Sequence, residues 1–389
     1  MHIKNQNTFL LIILILFTAC SSNKDNEKAS TEKDSKTIDE FISYDLVNEM
    51  ETRTLTELIE HIEFSRLQET DESLISSANN YLMHRGLIVF RNGAERDICV
   101  FTESGEFVRK FNRSGEGPEE YSTVNDMWFD GDYLAIYSKG RYVKWYDLEG
   151  NFIKSKSMDL QAGHIYPYQD GYAVDASYLT LDDSLRFNFA FVDSEFKTKK
   201  VFLPSGDDMQ FQVFMANSSL MPDNGKILFN RMMSDTVYSF NATDFQPFIH
   251  YDFGNEWYFK NMTSMPDNMF IDMQNSGKVW NVSSKISSEF IWLSTYGGEP
   301  GRNKYLIDRG NDKSIRVDTR KGEEYYALSP SLWENEELFG SIQSIDVPEL
   351  ISSLGQDQYS FNDGTTLEEI ESSENPVLVK IKFKESSEW

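Results

Sequence analysis

The sequence predicts an all-β chain folded as a six-bladed β-propeller of four-stranded antiparallel blades, and three observations carry that prediction. First, FTESGEFVRKF (101–111) and YDLEGNFIKSK (146–156) share one pattern: an aromatic strand end, an acidic turn with glycine, and an aromatic restart. Phe101 and Tyr146, Gly105 and Gly150, and Phe107 and Phe152 are each 45 residues apart, and a further 45 reaches Phe191. A hairpin-built period of about 45 is the mark of propeller blades. Second, six runs fit the third strand of a blade, ending near Phe101, Tyr146, Val192, Phe240, Asp308 and Phe383. Third, no outer strand follows the last of these, whereas a spare strand at 62–68 precedes the first blade. Pairing the two closes the ring and removes an exposed row of amides and carbonyls on each side of the gap. Long intervals after residue 250 leave a seven-bladed count as the alternative.

In chain order, Lys4 precedes the apolar run FLLIILILF (9–17), too short to span a membrane, and Thr18, Ala19 and Cys20 follow it. This resembles a lipoprotein lipobox, which implies a signal peptide over 1–19 and lipid attachment at Cys20. Residues 20–40 lack aromatics and are rich in Ser, Lys, Asp and Glu, so they are expected to form a flexible tether reaching roughly 25 Å. Asp25 and Glu27 resemble the acidic export signals of surface lipoproteins of Bacteroidota. The expected location is the outer membrane, facing either the periplasm or the exterior.

Residues 41–389 are assigned to the propeller domain. Thr54 and Glu57 have capping-box spacing and predict a short helix to about Glu60. Blade 1 takes Ala78 to Met83 and strands from Leu87, Asp97 and Glu106; blade 2 takes strands from Val124, Tyr133, Tyr142 and Asn151. Blades 3 to 5 show three strands each, from Tyr172, Phe187 and Lys199, from Lys226, Asp235 and Phe245, and from Glu289, Lys304 and Lys313. The last blade has YYALS near Tyr325, LFGSIQSI near Leu338 and PVLVKIKFK (376–384), with Asp346 and Pro348 capping a helix between them.

SGEGPEEY (114–121), SDTVYSF (234–240) and ENPVLVKIKFK (374–384) resemble recurrent segments of the six-bladed β-propeller lipoproteins of Bacteroidota, distantly like NHL-repeat proteins. The resemblance covers nearly all of the chain after Cys20. It implies a secreted, lipid-anchored propeller and no particular activity.

Acidic residues outnumber basic ones 63 to 37, a formal charge of −26, which excludes nucleic acid and argues against binding to anionic membrane surfaces. Membrane contact is expected through the lipid anchor. With Cys20 acylated, Cys99 is the one remaining thiol, and its alternating surroundings make it a strand residue. His61, His84, His164 and His250 stand outside metal-ligand spacing of one another, and no cofactor is expected. SGEGPEEY has two glycines but no lysine and joins strand to strand, so it is a turn rather than a phosphate cradle.

Two groups are candidate site residues. Asn79 and Asn80 open the inner strand of blade 1, and Asn125 and Asp126 take the matching place in blade 2. Their oxygens are candidate channel ligands, able to hold Ca²⁺ as in lactonase-like six-bladed enzymes or to bond one another and water. Trp257, Tyr258 and Phe259, in a loop-like stretch, form the candidate ligand surface, with local packing as the other use of such rings. Trp128 and Trp145 fall in apolar strands and are expected to fill space between blades. Asp183-Ser184-Leu185 and Asp235-Thr236-Val237 match a short bacterial O-glycosylation sequon. The expected function is a non-catalytic envelope module that binds a glycan, peptide or envelope protein. The alternative is a metal-dependent hydrolase or lyase with a divalent cation in the channel.

Overall fold

Six sheets succeed one another along the chain, each beginning at the ring axis and working outward. The computed structural model describes residues 40–389 apart from 48–49, 94–95, 139–140, 177–186, 205–218, 224–225, 263–265, 267, 299–302 and 363. The signal peptide, Cys20, the tether to residue 39 and the sequon at 183–185 lie outside the described residues.

From the axis outward, blade 1 is Ala78–His84, Leu87–Asn92, Asp97–Thr102 and Phe107–Phe111. Blade 2 is Asp126–Asp130, Tyr133–Ser138, Tyr142–Tyr146 and Phe152–Ser157. Blade 3 is His164–Tyr168, Gly171–Asp175, Phe187–Asp193 and Thr198–Pro204. Blade 4 is Leu220–Asp223, Lys226–Asn230, Thr236–Phe240 and Phe245–Asp252, and blade 5 is Val279–Ile286, Phe290–Gly297, Lys304–Asp308 and Lys313–Asp318. Blade 6 takes Ser329–Glu334, Glu337–Ile342 and Val377–Phe383 from the end of the chain, and its outer strand, Ile59–Ser65, from the beginning. The fold is thus a six-bladed propeller closed by an N-terminal strand. Val379 pairs directly with Phe64 and Ile381 with Ile62, antiparallel.

The repeating aromatics explain the period. Phe101 is fully buried and meets the restart residue Phe107 edge-on at 5.4 Å; Tyr146 meets Phe152 in the same way at 6.0 Å. Between each pair lies a turn that needs a left-handed residue, Gly105 at φ 85° and Gly150 at φ 81°. At Gly105 a Cβ would also fall 1.8 Å from the carbonyl oxygen of Arg66, where the chain leaves the closing strand. Six apolar clusters fill the six seams, one between each pair of neighbouring blades. Trp128 and Trp145 lie in the seam between blades 2 and 3, as expected, and Cys99 is a buried strand residue between blades 6 and 1. The closing seam is packed like the others, with Tyr81 of blade 1 edge-on to Phe339 of blade 6 at 5.1 Å.

The N-terminal segment does more than close the ring. Ile42–Asp45 adds a fifth, parallel strand to the outer edge of blade 4, and Thr52–Thr54 does the same on blade 5. Tyr359–Phe361 adds a parallel strand outside Ile59–Ser65. The entering chain therefore straps blades 4 and 5 before completing blade 6, which the sequence did not disclose.

Several boundaries move. The capping box at Thr54 forms, with the Thr54 amide donating to Glu57 Oε2 at 2.8 Å, but the helix is Leu55–Leu58 and the strand starts at Ile59. Glu324–Tyr325 pairs with Arg320–Lys321 in a small hairpin, so the inner strand of blade 6 is Ser329–Glu334 and not YYALS. The helix Val347–Ser352 carries its proline in the first turn, yet Asp346 does not cap it. That carboxylate instead accepts from the Ala327 amide at 2.7 Å and pairs with Lys321 at 2.6 Å.

Candidate functional site

Antiparallel blades sort the connections by length. The turns from first to second strand are short, such as Arg85–Gly86, Gly131–Asp132, Gln169–Asp170 and Asn335–Glu336, and those from third to fourth are four or five residues. The connections at the other end run up to 205–219, 253–278 and 343–376. One end of the ring is therefore built of tight turns and the other of long loops.

The loop-bearing end also carries the exposed apolar side chains. Leu74, Tyr142, Phe270, Ile271, Tyr325 and Ile345 are 47, 49, 45, 60, 53 and 80% exposed and all belong to it, whereas toward the tight-turn end Tyr133, Val108 and Ile153, at 40, 37 and 39%, lie within strands and none stands on a turn. Phe270 and Ile271 stand on the helix Met269–Asn275, whose Met269 and Met273 are buried against Met233, Trp280, Tyr258 and Phe259. That apolar underside explains how a helix with two exposed hydrophobes is held in place.

The aromatic triad expected to face a ligand is largely turned inward. Trp257 is 7% exposed, lies parallel to Phe253 at 5.9 Å and joins the core between blades 4 and 5. Phe259 packs on Trp257 and, edge-on, on Tyr258, and both outer rings rest on the methionines below the helix. Tyr258 and Phe259 thus pack beneath the helix Met269–Asn275, whose Phe270 and Ile271 reach solvent.

The proposed channel oxygens also meet protein. Asp126 accepts at one oxygen from the Ile165 amide at 2.8 Å, and its other oxygen lies 3.1 Å from His164 Nδ1, so it ties blade 2 to blade 3 where their inner strands begin. Asn125 accepts from the Thr123 hydroxyl at 2.6 Å. Asn79 and Asn80 lie in the inner strand of blade 1, but their side chains lie outside what is described. Among the described residues no three His, Cys, Asp or Glu gather closely enough to hold a metal ion. Replacing Asp126 with Ala orphans the Ile165 amide and is expected to cost about 1–3 kcal/mol in urea unfolding; an unchanged midpoint would show that the tie is idle.

The remaining histidines disperse. His61 bonds Ser360 in blade 6, His84 stacks on Phe129 at 4.0 Å, and His250 bonds Ser43 of the strap at 2.8 Å. SGEGPEEY is a closed turn: the Gly117 amide donates to Glu120, and the Lys144 ammonium donates to three of its carbonyls, those of Gly117, Pro118 and Glu120. Thr236 of the second sequon opens a strand and donates to Asp235 at 3.0 Å.

Lys285 is the group the sequence did not single out. It sits near the tight-turn end of the inner strand of blade 5, half-buried, and its amine has no hydrogen bond or ion pair among the described residues. Burial pushes its amine down to about 8.

Fold and site define a closed six-bladed propeller with one loop-rich, apolar end. The chain belongs to the family of the domain of unknown function DUF4934, which matches residues 41–382. A protein of Bacteroides fragilis provisionally described as exported shares the fold at a TM-score of 0.70 and 15% identity, over 89% of this chain and 100% of that one. A member of the DUF4221 family from Bacteroides vulgatus aligns at a TM-score of 0.47 and 12% identity, over 84% of this chain and 97% of its own. No curated protein matches. No helix of the described residues is long and apolar enough to cross a membrane.

Proposed function

We propose that the protein is a non-catalytic binding module of the cell envelope, held by a lipid on Cys20 and presenting its loop-bearing end to a glycan, peptide or envelope protein. The observation that carries this is the asymmetry of the ring: Leu74, Phe270, Ile271, Tyr325 and Ile345 stand exposed on connections of the loop-bearing end, while among the described residues no exposed large apolar side chain stands on a tight turn. Exposed apolar groups on a rigid scaffold are what partner surfaces are made of, since each removed from water contributes about 1.5–3 kcal/mol. The leader resembling a lipobox supports the anchor, and the resemblance to Bacteroidota lipoproteins supports the compartment.

The test is a thermal-shift screen of the purified propeller against polysaccharides and peptides, repeated with Ile271→Asp and Ile345→Asp. A shift that these two substitutions abolish, and that Tyr133→Asp leaves intact, is the expected outcome. Turnover of lactones or phosphoesters that a chelator stops would replace this proposal with a metal-dependent hydrolase.

A further inference from the structure

We infer that Lys285 is an anion-binding group at the tight-turn end of the seam between blades 5 and 6 and receives a carboxylate of a small ligand. Four observations converge on it. The six inner strands read ANNYLMH, DMWFD, HIYPY, LMPD, VWNVSSKI and SPSLWE, and Lys285 is the one Lys or Arg among them. It stands beside the tight turn 287–289, at the end of the ring opposite the long loops, so this site and the loop-bearing surface do not depend on each other.

Register sets its direction. Lys285 lies across from Trp292, and Trp292 belongs to the apolar seam between blades 5 and 6, so the lysine shares that face. The backbone there is pinned, because Trp333 Nε1 of blade 6 donates to the Lys285 carbonyl at 2.9 Å. The side chain is partly exposed there, one residue from the end of its strand, where the seam opens at the tight-turn end.

The charged residues of the adjoining turns and of the facing strand of blade 6 have partners of their own. Glu334 of blade 6 lies 3.6 Å from Lys380, and Glu336 accepts from the hydroxyls of Ser287 and Ser288 and from the Glu289 amide. Arg309 donates to the Ser287 carbonyl. Nothing described offers Lys285 an acceptor, and the depressed amine agrees with a cation lacking a counterion. Directly across the strand pair, the indole N–H of Trp292 is likewise buried without an acceptor. A single ammonium supplies one positive charge and three donors, which match a carboxylate. A phosphate dianion would leave a negative charge uncompensated inside a chain whose formal charge is already −26.

The experiment uses the full propeller with ¹³C-dimethylated lysines, the Lys285 resonance being the one lost in Lys285→Met. Expected is a signal titrating near 8, whose apparent pKa rises saturably by at least about one unit in sodium acetate, a tenfold preference of the anion for the charged amine. Sodium chloride at equal ionic strength should leave it in place. An equal shift in chloride would reduce the effect to screening and overturn the assignment. A saturable response to inorganic phosphate at lower concentration would overturn the carboxylate class. An amine that resists methylation, or ignores every anion, would overturn the site.

Discussion

Deleting Ile59–Ser65 from the otherwise intact propeller is expected to abolish cooperative folding and to yield aggregates in size-exclusion chromatography. The strand pairs with Val377–Phe383 from Leu378↔Ser65 to Phe383↔Ile59, and it is the partner on which Tyr359–Phe361 is laid. Ile59, Ile62 and Phe64 are each 0% exposed, and burying three such side chains contributes about 5–9 kcal/mol, most of the total stability of an ordinary domain. The deletion also leaves Val377–Phe383 as an unpaired apolar edge, which templates association. Phe64→Ala grades the same effect, with an expected loss of about 3–5 kcal/mol. Two controls separate closure from mere shortening. Removing residues up to 40 should not move the melting temperature, and removing 41–50, which takes the parallel strand Ile42–Asp45 off blade 4 and the buried Tyr44 and Leu46 out of the seam between blades 4 and 5, should lower it while the protein stays monomeric. A soluble, monomeric protein without Ile59–Ser65, melting where the full chain melts, would refute the closing role.

How much of this could be read from the chain follows from where each strand sits. Third strands are buried on both faces and announce themselves as DICVF, YVKWY and FNFAFVD, so the blade count and the closing strand were legible. Inner strands border the channel, where an edge tolerates proline, and Pro167, Pro222 and Pro330 stand within three of them. That is why the inner strands of blades 3 and 4 were missed and that of blade 6 was misplaced. The added strands ISYD and TRT are too short for a period to show and take their partners from distant sequence. The site was less legible than the fold. Trp257 lies between segments of loop-like composition, and only the long connection it belongs to, folded over its own methionines, turns the ring inward. Lys285, in a stretch that gives no strand signal of its own, becomes notable once six inner strands are laid side by side and it proves to be their one fixed cation. Asp126 was placed correctly on an inner strand, but its destination, an amide and an imidazole one blade away, is a property of the assembled ring.

Replacing that cation is expected to make the protein more stable. In the fold the Lys285 amine is lowered from 10.5 to about 8 by burial alone, so at neutral pH the folded state carries a charge it solvates poorly while the unfolded chain solvates it well. The shift corresponds to about 3 kcal/mol, and partial exposure reduces the expected gain for Lys285→Met to about 2 kcal/mol at pH 7. Methionine keeps the length of the stem and adapts to the seam beside Trp292 and Trp333. The sign fixes the pH dependence. The folded pKa lies below the unfolded one, so the penalty is fully present below pH 8 and is relieved as pH rises from about 8 to 10.5, where the unfolded chain holds the proton that the folded protein has released. Urea unfolding of both proteins at pH 7 and at pH 10 should show the advantage of the variant shrinking between the two. A variant less stable at pH 7, or an advantage that does not change with pH, would mean that the amine has a partner in the fold and is not held uncompensated. A residue retained at such a cost, on an inner strand and beside a tight turn, is placed as a binding group would be: the carboxylate that enters supplies the charge the ring withholds, and a ligand favouring the charged amine tenfold would return about half of the penalty.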